Sequence, residues 1–343
     1  MLGDIAAGPG PSTLKRLRGD PERRPHVFEV EGSRYRADLY VPPAGARAGI
    51  LLVPGAAEEG KDDPRLVAFA STLARARFLV LAVDLPGLRE LEVRPGQVPQ
   101  LGDAFAHLRA LAPRYRGGPA GMAAFSYAVG PAVLAALEPR TAPHVDFLLA
   151  VGGYHDLTAA LTYFTTGAYR VDDTERRREP HPYGKWVFAV SSTGRLTDPG
   201  DRGRFRRMVE RKKQDPAAPL DDLAEGLGPE GRALYRLVVN REPRRVPELL
   251  RALPAPIRED LRALDLADKD LGPLRAHLIL VHGRDDPIIP YTESVALHRR
   301  LPEGQAELHL LRGLAHVDVE PGAGDTLRMW RAVAALLRAR DGV

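Results

Sequence analysis

A series of apolar runs too short for helices punctuates this chain: GILLVP (49–54), FLVLAVD (78–84), AGMAAF (120–125), VDFLLAVGG (145–153), HLILVHG (277–283) and AELHLL (306–311). Between several of them lie longer stretches with helical periodicity, such as PRLVAFASTLARAR, DAFAHLRALAPR and ESVALHRRL. A continuous apolar run suits a strand buried on both faces. Strands that alternate with helices pack as a mostly parallel sheet with helices on both sides. The expected fold class is therefore α/β. Asp63 followed by Pro64 fits an N-cap and first-turn pair for the first helix. Upstream, HVFEVEG and YRADLYV read as an antiparallel hairpin leading into the sheet.

The alternation stops after Gly153. From about Asp156 to Asp270 the chain is Arg-rich and mainly helical in pattern, broken at PHPYG, TDPGD and LPAP, before HLILVHG resumes the sheet. The expected organisation is a mobile Gly/Pro-rich N-terminal extension (1–25), an α/β core (26–155 and 271–343) and an inserted, mainly helical cap (156–270). A length of 343 residues and 44% hydrophobic content suit such a core.

Composition also excludes classes of function. The formal charge of +4 is a small difference between 49 basic and 45 acidic residues, which does not point to nucleic acid. Cysteine is absent, so there is neither a disulfide framework nor a thiolate metal site. No His, Asp or Glu cluster has metal-ligand spacing, and His155 with Asp156 is too little. The N-terminal stretch has no apolar segment after a basic start, and no run approaches the roughly 20 apolar residues of a spanning helix. The expectation is a cytoplasmic protein that needs no cofactor or metal and binds neither nucleic acid nor membrane. RGRFRRMVERKK (202–213) reads as a solvated helix face.

Three stretches bear on chemistry. GAAEEGKD, Gly55 to Asp62, matches a phosphate loop, G-x-x-x-x-G-K, between a strand and a helix, and the next strand ends in Asp84. Asp62 stands where Ser or Thr would hold the metal, and Glu58 and Glu59 would face the phosphates with like charge. This leaves a nucleotide-binding enzyme using Gly55 to Lys61 as an alternative reading.

GMAAFSYAVGPAVLAAL (121–137) places Ser126 between a strand and a helix. A nucleophile elbow is a strained turn of this kind, and it has room only for small residues two places before and after the nucleophile. Ala124 and Ala128 meet that demand, and Gly130 allows close helix packing. The simpler reading of Ser126 is a helix N-cap. The third stretch is a pair: HGRDDPIIPY (282–291) ends a late strand with Asp285 and Asp286, and RGLAHVDV (312–319) follows the last strand with Gly313 and His316. The order Ser126, an Asp, then His316, each just past the carboxyl end of a strand, is what a Ser-Asp-His relay on a parallel sheet requires. The spacing from Gly283 and to Pro290 favours Asp286 over Asp285.

With Gly283, Asp286, Ile288 and Pro290 read as G-x-x-D-x-I-x-P, and with the histidine loop at Gly313 to His316, the chain resembles the α/β-hydrolase superfamily. The resemblance covers about Tyr35 to Tyr154 and about Leu274 to Arg338. Pro54-Gly55 stands where the family usually has His-Gly. The resemblance implies a serine hydrolase that cleaves a carboxylic ester, or a thioester or C–C bond beside a carbonyl, through an acyl-enzyme. Ser126 would be the nucleophile, His316 the base and Asp286 the acid, with Asp156 the alternative acid because some members place it after that strand. The oxyanion hole would be the backbone N–H groups of Ala56 and Tyr127. The partner would be a small-molecule ester or acyl substrate. Tyr163, Phe164 and Trp186, with Tyr169, Tyr183 and Phe188, concentrate in the insertion; they line an apolar substrate pocket or form the insertion's own core. A non-catalytic binding member of the same fold is the remaining alternative.

Overall fold

The computed structural model describes the chain except for Pro9, Gly313, His316, Val317 and residues 320–324; for residues 314, 315, 318 and 319 it describes the backbone alone. β1 (Glu22–Val30) and β2 (Ser33–Val41) pair antiparallel, and β2 runs antiparallel to β4 (Phe78–Asp84). Every further pairing is parallel: β4 with β3 (Ala48–Val53), β3 with β5 (Ala120–Phe125), β5 with β6 (Phe147–Val151), β6 with β9 (His277–Gly283), and β9 with β10 (Ala306–Leu311). The result is one eight-stranded sheet in the order β1-β2-β4-β3-β5-β6-β9-β10.

The central strands are buried along their whole length, as their unbroken apolar sequences require. Alternate side chains serve opposite faces. Ile50, Leu52 and Val80 pack with Leu66, Ala70 and Leu73 of α3 (Pro64–Arg75) and with Met329 and Leu336 of α15 (Thr326–Asp341). Leu51, Val53 and Leu81 pack with Leu88 of α4 (Pro86–Arg89), Leu101, Phe105 and Leu108 of α5 (Gln97–Ala110) and Ala132 and Val133 of α6 (Val129–Leu137). The sandwich of helix, sheet and helix thus follows from period-two alternation within strands that are apolar on both sides. The Asp63 side chain caps α3 by accepting from the Arg65 N–H at 2.8 Å, as the Asp-Pro pair predicts.

Within the N-terminal extension (1–25) lie two short helices, α1 (Leu2–Ala7) and α2 (Thr13–Arg18). Asp4 is buried against α3, where it accepts from Thr72 Oγ1 at 2.7 Å, from Arg75 Nη1 at 3.1 Å and from the Ser12 hydroxyl. A buried carboxylate must be paired, and these bonds tie the segment to the core.

Between β6 and β9 the chain leaves the sheet. This insertion holds α7 (Leu157–Thr166), a small hairpin of β7 (Ala168–Val171) and β8 (Thr174–Arg177), α8 (Tyr183–Thr193), α9 (Pro199–Gln214), α10 (Asp221–Glu225), α11 (Pro229–Val238), α12 (Val246–Arg251) and α13 (Ala255–Leu264). Its two ends meet: the Leu266 N–H donates to the His155 carbonyl at 3.1 Å, and the Leu157 N–H donates to the Asp265 carboxylate at 2.9 Å. Its apolar residues, among them Phe205, Leu234 and Leu237, join the core on the α5 and α6 side of the sheet. Among the described residues, no helix is long and apolar enough to cross a membrane.

Candidate active site

Parallel strands present their carboxyl ends along one edge, and the loops at that edge are where an open α/β sheet binds ligands. Ser126 follows β5 directly. Its φ of +55° lies in the left-handed region, rare for a residue with a side chain. It opens a short turn, Ser126–Ala128, that leads into α6. Ala124 and Ala128 are fully buried on either side of Ser126. This is a strained strand-to-helix turn, not the extended geometry of an N-cap serine.

The loop after the neighbouring strand β3 packs on this turn. A Cβ on Gly55 would stand 3.4 Å from the Phe125 carbonyl oxygen and 3.4 Å from Ser126 Cβ, so the main chain passes close to the serine there. The next residue, Ala56, is buried.

Asp286 follows β9 and is 1% exposed, whereas its neighbour Asp285 lies at the surface and pairs with Arg178 at 3.2 Å. Asp286 Oδ1 accepts from the Ile288 and Ile289 N–H groups at 2.7 and 3.0 Å, and its Oδ2 lies 3.3 Å from Nε2 of the fully buried His282. His282 bonds in turn to the Ile289 carbonyl at 2.9 Å and the Ser294 hydroxyl at 2.7 Å. Two backbone donors and a buried imidazole thus fix the carboxylate. The base expected from the sequence, His316, lies outside the described residues, in the segment that follows β10.

No protein-family model matches the sequence, and no curated protein matches it significantly. Solved structures do match. A protein of Legionella pneumophila designated a "putative hydrolase" superposes with a TM-score of 0.56 at 12% identity, over 92% of this chain and 88% of that one. The chain has the α/β-hydrolase fold. A dienelactone hydrolase from Anabaena variabilis is similar at a TM-score of 0.47 and 15% identity, over 91% of this chain and 96% of that one. A 2-hydroxy-6-oxo-6-phenylhexa-2,4-dienoate hydrolase from Rhodococcus sp. strain RHA1 is similar at 0.44 and 17%, over 94% and 100%.

In this α/β-hydrolase fold the insertion touches each of the loops just described. Tyr163 of α7 donates its hydroxyl to the Asp286 carbonyl at 3.1 Å. Tyr183, the first residue of α8, donates its hydroxyl to the Ala56 carbonyl. Tyr127 reaches the other way and donates to the Gly184 carbonyl at 3.0 Å. Burial pushes all three phenols up, that of Tyr183 to about 12, so each is a neutral donor at ordinary pH.

Phe164 and Trp186 are buried as well, and Phe164 packs on the Tyr127 ring with centroids 5.7 Å apart. A small cavity of about 50 Å³, partly open to solvent, lies where α7, α8 and α13 meet; Tyr127, Tyr154, Phe164 and Phe188 line it. Tyr163 and Trp186 are not among its walls.

Asp156, the alternative acid, accepts from the Ala159 N–H at 3.0 Å and so caps α7. Lys61 points away from any phosphate cradle: its ammonium donates to Asp38 of β2 at 3.1 Å and to Asp62 at 3.1 and 3.2 Å. Gly60 to Asp62 form a separate 3₁₀ turn before α3 begins at Pro64, so no helix N-terminus follows the lysine directly. Among the described residues, no group of three or more His, Asp or Glu side chains is placed to hold a metal ion.

Sequence reasoning missed Glu293, in the first turn of α14 (Thr292–Arg300). It is 4% exposed and accepts from the His155 N–H at 3.0 Å and the Asp156 N–H at 2.7 Å. Burial first, then the nearby Asp156 and Asp265, push its carboxyl up to about 7 against the pull of those two donors. Nothing in ESVALHRRL marks the glutamate for burial, because its position reads equally well as a solvated first turn.

Proposed function

We propose that this protein is a serine hydrolase that cleaves a carboxylic ester through an acyl-enzyme on Ser126. The observation that carries the proposal is the positive φ of Ser126 at a buried, alanine-flanked turn between β5 and α6. Such strain persists only where the surrounding structure enforces it, and it clusters where mechanism uses it. A merely capping serine needs none. The hydrolase designation of the Legionella protein with this fold agrees with that class of reaction.

In the first step Ser126 Oγ bonds to the acyl carbon while its proton passes to the imidazole of His316. The carbonyl oxygen becomes an oxyanion, which the N–H groups of Ala56 and Tyr127 stabilise more strongly than the ground-state carbonyl. Collapse breaks the bond to the leaving alcohol, which takes the proton from His316. Water then repeats the sequence on the acyl-enzyme and releases the acid. Asp286, fixed by the Ile288 and Ile289 N–H groups, orients the imidazole and stabilises its charged form. The insertion acts as a cap over these loops, and the apolar cavity beside Tyr127 takes the acyl group of a small-molecule substrate. A thioester, or a C–C bond beside a carbonyl, would pass through the same first adduct.

A fluorophosphonate probe followed by peptide mapping tests the reading. The label is expected on Ser126, together with hydrolysis of p-nitrophenyl esters and a loss of about 10⁴-fold or more in the Ser126→Ala variant. A folded, unlabelled wild type, or a Ser126→Ala variant with normal turnover, would overturn it.

A further inference from the structure

One dipeptide of the insertion touches both residues whose N–H groups would form the oxyanion hole. Tyr183 donates its hydroxyl to the Ala56 carbonyl, and Gly184 accepts at its carbonyl from the Tyr127 hydroxyl at 3.0 Å. The peptide plane that follows Ala56 is thereby held from outside the loop, and Tyr127 is anchored at the far end of its own side chain. Resting on the serine-hydrolase reading, we infer that Tyr183 and Gly184 form a clamp that sets the oxyanion donors, with Tyr183 a positioning residue acting through the Ala56 backbone.

Three further observations favour a clamp over incidental packing. Gly184 leaves little room for a side chain: a Cβ would stand 3.0 Å from Phe164 Cδ1 and 3.3 Å from Tyr127 Oη, tighter than ordinary contact, so its backbone packs closely on the elbow residue. The link from β8 to α8 is laid along the acid loop too, with Arg178 Nη1 donating to the Arg284 carbonyl at 2.9 Å and the His181 N–H donating to the Pro287 carbonyl at 2.7 Å. Residues 178–184 therefore run from the acid loop to the oxyanion loop as one strap. Finally, the Gly55 main chain abuts Ser126, so the Gly55–Ala56 peptide, which carries the Ala56 N–H and meets the peptide held by Tyr183 at the Ala56 Cα, lies beside the nucleophile rather than at a remote turn.

A donor aimed at the position of a developing charge acts chiefly in the transition state. Tyr183→Phe keeps the ring and removes only the hydroxyl. It is expected to lower kcat for a p-nitrophenyl ester by about tenfold to a hundredfold, short of the full effect of deleting an oxyanion donor, while KM stays within about twofold. The inhibition constant of an alkyl boronic acid, whose tetrahedral serine adduct places an oxygen in the hole, should rise by the same factor as kcat/KM falls. Tyr127→Phe, which releases the other half of the clamp, should shift both quantities in the same proportion. A purely structural role would lower the melting temperature without that correlation. If fluorophosphonate labels Ser126 in the wild type while Tyr183→Phe retains normal kcat or normal boronate affinity, the clamp is wrong and the hydrolase reading stands. If the wild type is neither labelled nor active on esters, both fail.

Discussion

A Cβ on Gly130 would stand 2.0 Å from the Tyr154 hydroxyl, and that hydroxyl donates to the Leu264 carbonyl at 3.1 Å. The helix behind the elbow therefore packs, through one missing side chain, on the residue that ties the end of β6 to the end of the insertion. Gly130→Ala must push a fully buried tyrosine out of place and break its bond, and is expected to cost about 2–4 kcal/mol. Tyr154→Phe removes the bond without the clash and should cost nearer 1 kcal/mol. Urea denaturation of both variants checks the order. An alanine variant as stable as wild type would mean that Tyr154 has somewhere else to go.

The inner strands were legible because they are buried on both faces. FLVLAVD, AGMAAF and HLILVHG are nearly continuous apolar runs with abrupt polar or turn-forming ends, and β4, β5 and β9 match them residue for residue. The edge strand β10 matches AELHLL as well, although it is only partly buried. Where burial is partial the signal fades. β1 begins at Glu22, four residues before HVFEVEG, because its outer residues are largely exposed. α5 begins at Gln97, ahead of DAFAHLRALAPR, because Pro99 and Gly102 mask its first turns although a proline there forgoes no intrahelical bond. The hairpin of β7 and β8 carries TERR on a fully exposed strand and shows no alternation at all. At the site, small flanking residues announced the Ser126 turn. The pairing of Tyr183 with Ala56 joins two segments far apart in sequence, and no local pattern encodes such a contact.

Lys61→Ala separates the hydrolase from the phosphate-loop reading. The ammonium serves the nearly buried Asp38, which keeps Arg23 at 2.8 Å when Lys61 is removed. The expected cost is about 1 kcal/mol of stability with ester turnover unchanged. Magnesium ATP should leave the melting temperature of wild type and variant alike; a shift in wild type that the substitution erased would restore the nucleotide reading.

Glu293 predicts a pH dependence of stability. Its folded pKa of about 7 exceeds the ordinary carboxylate value, so between about pH 4.5 and 7 the native state holds a proton that the unfolded chain releases. The penalty is absent below that window, grows as pH rises through it, and is complete above pH 7, at roughly 3 kcal/mol as an order of magnitude. Burial lowers the pKa of His155, which gives an opposing slope, since its unfolded form takes up protons first on acidification. Glu293→Gln keeps an oxygen for the two backbone donors and removes the charge. Its stability relative to wild type should therefore increase from pH 5 to pH 8. Parallel melting curves for the two proteins would refute the assignment.

Which carboxylate completes the relay can be decided by a matched pair of substitutions, because Asp286 and Asp156 both follow strands of the sheet. Asp286→Asn can still accept from the Ile288 and Ile289 N–H groups through its remaining oxygen, so the loop should hold its shape. An amide, however, cannot stabilise an imidazolium and can hold the wrong tautomer. In a serine protease the same change costs about 10⁴-fold in kcat, and a loss of that order is expected here. Asp156→Asn touches a side chain whose bond is to the Ala159 N–H at the start of α7. Asn is itself a good N-cap, so stability should change by less than about 1 kcal/mol and turnover little. Both variants should be assayed from pH 5 to 9, since the base must be neutral to accept a proton and activity falls below its pKa, near 6.5 for an unperturbed histidine. If Asp156→Asn were the crippled variant and Asp286→Asn nearly normal, the acid would move to the strand before the insertion. The buried Asp286 would then serve only to fold its loop around His282.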